Sequence, residues 1–84
     1  MYTYDAVPDA VTQVDELPVA ALSEYAELIA FLELTPWEGA PYRADKPDGS
    51  MRVMQFGKQA QGMAVYVILE EQRRVVVVSV TWLE

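Results

Sequence analysis

Apolar and polar positions are patterned most plainly in residues 73–83, which read Arg-Arg-Val-Val-Val-Val-Ser-Val-Thr-Trp-Leu. A run of β-branched residues fits a pleated, packed surface better than a helix. Strict period-two alternation places Val76, Val78, Val80 and Trp82 on one face, and Val75, Val77, Ser79, Thr81 and Leu83 on the other. One wholly apolar face and one mixed face predict a strand inside a sheet with a helical layer on one side. Residues 51–57 and 63–69 read as two further strands, the second apolar on both faces. Lys58 to Gln61, between Gly57 and Gly62, forms a flexible link, and Glu70, Glu71 and Gln72 form a tight return. Links this short make the three strands an antiparallel meander.

The first half of the chain changes period. Residues 2–7 alternate loosely and predict a short first strand, closed by Pro8. Proline at the first helical position and a carboxylate at Asp9 favour a helix start. Val11, Val14 and Leu17 then mark the buried face of a short helix. Pro18 starts a second helix over residues 19–34, with Leu22, Tyr25, Ala26, Ile29 and Leu32 as its stripe and Glu24, Glu27 and Glu33 away from it. Residues 35–50 contain three prolines and two glycines, which exclude regular structure. Loops of this length are usually functional or specifically packed, and Trp37 and Tyr42 are the natural anchors. The expected fold is α+β: one domain over residues 1–84, with an N-terminal helical hairpin packed on a mostly antiparallel four-stranded sheet. The sheet neighbour of the first strand is not legible.

Composition narrows the chemistry. The 84 residues are 52% hydrophobic, which argues for a packed core. With no cysteine and no histidine, disulfides, thiolate nucleophiles and imidazole bases or ligands are excluded. There is neither a membrane-length apolar run nor a basic region leading into one at the N-terminus, so a cytoplasmic location away from membranes is expected. The net charge is −7, unevenly spread: residues 1–42 hold eight acidic side chains and no basic one, residues 43–84 six basic and five acidic. Such a field repels polyanions, so any nucleic-acid site must be local and built from the second half.

The order of strand, helical hairpin, proline-rich loop and three-stranded meander resembles the RelE/ParE toxin superfamily over nearly the whole chain. Leu17-Pro18, Pro36-Trp37, Pro41-Tyr42, Lys46-Pro47-Asp48-Gly49, Arg52, Phe56-Gly57, Val65-Tyr66 and the stretch from Glu71 through Arg74 to Val80, Trp82 and Leu83 carry the resemblance. It implies a toxin of a type II toxin–antitoxin pair, partnered by a cognate antitoxin. RelE-like members cut messenger RNA on the ribosome; ParE-like members inhibit DNA gyrase. The alternative to a nuclease is therefore a non-catalytic protein-binding module on the same fold. No cofactor or metal is implied. Many active RelE-like nucleases place a His or Tyr on or just after the last strand, and the final residues Trp82, Leu83 and Glu84 supply neither.

RNA cleavage by the substrate's own 2′-hydroxyl needs a base, a cation for the developing phosphorane charge and an acid for the leaving oxygen. Arg52 matches the family arginine on the first meander strand and is the candidate catalytic residue, holding the scissile phosphate; a rim arginine paired with a carboxylate is the alternative. Arg43, Lys46 and Lys58 are the candidate RNA contacts, against the plainer reading of charges that balance nearby aspartates or stay solvated. Arg73 and Arg74 are expected to pair with Glu70 and Glu71. Tyr66 and Trp82 are expected in the core, the tyrosine hydroxyl reaching the rim, and Glu38 is a weaker candidate base. The exposed edge of a valine-rich sheet invites self-pairing into a homodimer or strand addition by the antitoxin.

Overall fold

Strands β1 (Thr3–Ala6), β2 (Ala40–Pro41), β3 (Met51–Phe56), β4 (Gly62–Leu69) and β5 (Arg74–Trp82) form one sheet in the order β1-β5-β4-β3-β2. The structure, a computed structural model, describes residues 1–83. Helices α1 (Pro8–Asp15) and α2 (Val19–Leu34) cover one face of the sheet. The meander is antiparallel as expected, and β1 joins it by pairing in parallel with β5, Thr3 opposite Arg74 and Ala6 opposite Val77. The sheet therefore has five strands rather than four. The extra one, β2, is two residues inside the proline-rich loop, where proline is tolerated because it lies on an edge.

The faces of β5 differ from simple alternation. Val65 opposes Ser79 while Tyr66 opposes Val77, so Val78 is an extra residue in a β-bulge. A one-residue insertion swaps the faces beyond it. Val75 and Val77 are buried under the helices before the bulge, and Val80 and Trp82 pack into the same core after it. The bulge also frees the Val80 N–H, which donates to Gln13 Oε1 of α1 at 2.7 Å. One helical side chain thus ties α1 to the sheet at its irregular point.

The helical stripes are rotated from the expected ones. On α2 the buried residues are Ala21, Tyr25, Leu28 and Leu32, while Leu22 is 42% exposed. The helix is apolar almost all round, so periodicity alone does not fix its orientation. Ala21 lets the helix approach the core closely, and Tyr25 meets Tyr4 (hydroxyls 2.8 Å apart) and the Phe56 ring edge-on. Burial pushes the Tyr25 phenol well up from its ordinary range. On α1, Ala10 and Val14 face inward with Leu17, and Val11 is exposed.

Candidate functional site

The segment between α2 and β3 is held to the sheet by Arg52. The side chain projects from β3 beside its register partner Tyr66 and is only 8% exposed. Its Nε and Nη2 both donate to the Gly39 carbonyl (3.1 and 2.8 Å), Nη1 donates to Pro47 O and Gly49 O (2.9 and 3.0 Å), and Nη2 reaches Trp37 O at 3.5 Å. Guanidinium has five N–H donors, and all are engaged by backbone carbonyls. The Trp37 ring covers the cation, 5.3 Å from Cζ to centroid. No donor is left to grip a phosphate, and among the described residues no carboxylate pairs with the group. In place of the expected phosphate contact, Arg52 closes the loop against β3.

Tyr66 completes the anchorage. Its hydroxyl donates to Pro36 O at 2.6 Å, so it ends inside the loop rather than at the rim. Desolvation pushes this phenol up to about 12, against a lowering by the Arg52 charge. The backbone at Gly39 passes directly over this hydroxyl, and a Cβ there would also lie 2.9 Å from Val53 O. Only glycine allows so close an approach.

The loop so fixed presents a cleft of about 320 Å³ lined by Tyr42, Arg43, Lys46, Gly49, Ser50 and Met51. Two turns shape it: Lys46 N–H donates to Arg43 O and Gly49 N–H to Lys46 O, both at 3.0 Å. Two of the carbonyls gripped by Arg52, those of Pro47 and Gly49, belong to the second turn, so the buried arginine sets the position of Lys46. Arg43 forks onto Asp45 (3.1 and 2.9 Å), with both side chains more than half exposed. Lys46 has no ion pair among the described residues. The structure thus brings Arg43 and Lys46 together beside Arg52's strand. Lys58 lies beyond the other end of β3, a strand length of about 20 Å away. Tyr42, expected to anchor the loop, is 54% exposed at the cleft mouth.

A second polar cluster was not apparent in the sequence. Glu70 Oε1 accepts from the Tyr2 hydroxyl (2.6 Å) and from Trp37 Nε1 (2.8 Å), and Oε2 accepts from Arg73 Nη1 (3.0 Å). Arg73 Cζ also sits 4.3 Å from the Tyr2 ring centre. The Tyr2 and Trp37 hydrogen bonds hold the Glu70 carboxyl below its ordinary range, and the bond to Glu70 raises the Tyr2 phenol. Arg73 pairs with Glu70 as expected, whereas Arg74 reaches Asp5 (2.5 Å) across the parallel β1–β5 pair instead of Glu71. That contact depends on where β1 docks, which the sequence does not reveal. Glu38 lies with Glu24 and Glu27 along a different groove, apart from the cationic cleft.

This arrangement, two helices packed on a five-stranded, mostly antiparallel sheet, matches the fold of the RelE toxins. The isolated E. coli RelE toxin matches it with a TM-score of 0.81 at 15% identity, over 100% of this chain and 86% of that one. A chain of the RelBE toxin–antitoxin complex from Mycobacterium tuberculosis matches with a TM-score of 0.76 at 23% identity, over 98% of both. The archaeal RelE–RelB complex from Pyrococcus horikoshii gives 0.68 at 12% identity, over 96% of this chain and 93% of that one. No family model and no curated protein sequence matches the chain. At these identities the likeness establishes the fold. No helix among the described residues is long and apolar enough to cross a membrane.

Proposed function

We propose that the protein is the toxin component of a type II toxin–antitoxin pair, a cytoplasmic RelE-like protein that acts on ribosome-bound messenger RNA and is neutralised by a cognate antitoxin. The observation that carries this reading is the fold match over 98% of both this chain and its M. tuberculosis counterpart, whose structure is that of a toxin–antitoxin complex. In this reading Lys46 and Arg43 contact the RNA backbone from the cleft, and Arg52 acts as a positioning residue through the turn it grips. A second reading, a non-catalytic module such as a gyrase inhibitor, is favoured by one observation: every donor of the family-matching arginine is occupied.

Mapping RNA 5′ ends after induced expression tests the proposal. Codon-linked cleavage with the wild type, lost in Lys46→Ala, is the expected result. Intact messenger RNA and normal growth with the wild type refute the nuclease. A supercoiling assay with purified protein then decides the gyrase alternative. Co-purification with the product of an adjacent small reading frame tests the antitoxin.

A further inference from the structure

The protein has five tyrosines, and four of them use their hydroxyls inside the fold. Tyr2 donates to Glu70, Tyr4 and Tyr25 bond to each other, and Tyr66 donates to Pro36 O. Among the described residues the Tyr42 hydroxyl has no partner, and its ring meets no other aromatic side chain. Its backbone is nevertheless fixed. The Tyr42 N–H donates to Met51 O at 2.9 Å, and the neighbouring Ser50 O accepts from the Ile68 N–H at 2.9 Å. An exposed ring on a fixed backbone, with nothing of its own to hold, is a stacking platform.

Lys46 shares the cleft with this ring. Of the six basic side chains, Arg52 is buried on carbonyls, and Arg43, Arg73 and Arg74 pair with Asp45, Glu70 and Asp5. Lys46 and Lys58 are left without an ion pair among the described residues, and of these two Lys46 lines the cleft. Arg43 can join it by giving up Asp45, because so exposed a pair contributes little. The site therefore grips one or two phosphates, on a protein whose net charge of −7 repels the rest of a polyanion. So small an ionic grip leaves the larger share of binding to non-ionic contact, and Tyr42 and the exposed Met51 are where the cleft supplies it. At about 320 Å³ the cleft lies at the small end of ligand sites, the scale of one nucleotide.

We infer that this cleft binds one nucleotide of single-stranded RNA, with an unpaired base stacked on the Tyr42 ring and the adjoining phosphate on Lys46. The inference rests on the RNA contacts proposed above and adds what is recognised there, the open face of a base. Bases inside a duplex offer no such face, so paired RNA is rejected. Every base has a π-face, so all four are accepted, with purines held best because they stack most strongly. With one or two phosphates engaged, the slope of log affinity against log salt on a single strand is expected to be about −0.7 to −1.4.

The test uses the full chain, labelled with ¹⁵N, and three RNAs: hexa-adenylate, a long duplex whose base faces are nearly all covered, and a hexamer of the same ribose-phosphate backbone without bases. Amide shifts locate binding and fluorescence anisotropy measures it. Hexa-adenylate is expected to shift the amides of Tyr42, Arg43 and Lys46 while leaving β1 unmoved. Tyr42→Leu is expected to weaken it about tenfold, and Tyr42→Trp, with its wider ring, to tighten it. The duplex and the baseless strand are expected to bind at least about tenfold more weakly. Equal affinity of either of them, or of Tyr42→Leu for hexa-adenylate, overturns the inference and leaves the phosphate contact of Lys46 standing. A salt slope steeper than about −2 also overturns it, because more cations then engage. Shifts at Tyr42 that grow with protein concentration in the absence of RNA assign the ring to a self-contact and overturn it as well. No shift with any of the three at about 1 mM overturns it together with the RNA contacts on which it rests.

Discussion

Replacing Arg52 by methionine separates its two candidate roles. Methionine keeps much of the volume but removes all five donors. The Gly39 carbonyl, whose two bonds from Arg52 are buried, is left unsatisfied inside the protein, at a cost of about 1–3 kcal/mol. The Pro47, Gly49 and Trp37 carbonyls are only partly buried and recover water, so each loses a fraction of a bond. Loss of the stacking on Trp37 adds about 0.5–1 kcal/mol. The sum is about 3 kcal/mol, or a fall in Tm of roughly 10–20 °C for a domain of this size. Thermal unfolding followed by circular dichroism reads it, with Arg52→Lys intermediate because an ammonium keeps the charge without the fork. A methionine variant that melts within about 2 °C of wild type yet loses activity would falsify the loop-closing role and return Arg52 to direct phosphate contact.

Three further outcomes follow from the same geometry. Gly39→Ala drives a methyl group onto the Tyr66 hydroxyl and Val53 O, and is expected to cost about 1–3 kcal/mol in urea unfolding; wild-type stability would show that the loop gives way instead. Gln13→Ala leaves the Val80 N–H at the bulge without its acceptor, so its hydrogen exchange should quicken and stability fall by about 1–2 kcal/mol; unchanged exchange would mean another group takes over. Glu70 is depressed in the folded state, so its stabilising contribution is complete above the ordinary value of 4.5 and disappears as pH falls through the lower folded value. Urea midpoints of Glu70→Gln should therefore depend less on acidic pH than those of the wild type, and parallel profiles would rule out that contribution.

What the sequence revealed and what it hid divide along a physical line. The meander was legible because short links force antiparallel neighbours, and the hairpin because Pro8 and Pro18 mark its helix starts. The faces of β5 were misassigned beyond Val77 because a bulge leaves no mark in a run of identical valines. β2 was hidden because a two-residue edge strand is made by its neighbour, not by its own propensity. At the site, Arg43 and Lys46 could be grouped from their spacing, whereas Lys58 was grouped with them only by charge. Arg52 was singled out for phosphate contact, and one-dimensional reading offers no sign that four carbonyls of a loop converge on it. The Glu70 cluster joins residues from the start, middle and end of the chain, and no local pattern announces such a meeting.

The parallel pairing of β1 with β5 has a bearing on how the molecule is assembled. Asp5 and Arg74 touch across a sequence separation of 69, and β5 is the strand that both β1 and β4 require. Any product ending before Arg74 leaves β1 without a partner and the helices with half a sheet to cover. Closing so long a loop is entropically costly before any contact rewards it, and topologies of this kind fold slowly for their size. During synthesis the nascent chain therefore carries its apolar helices without their platform until residues 74–82 emerge. The sheet is therefore completed only once β5 is available to pair with both β1 and β4.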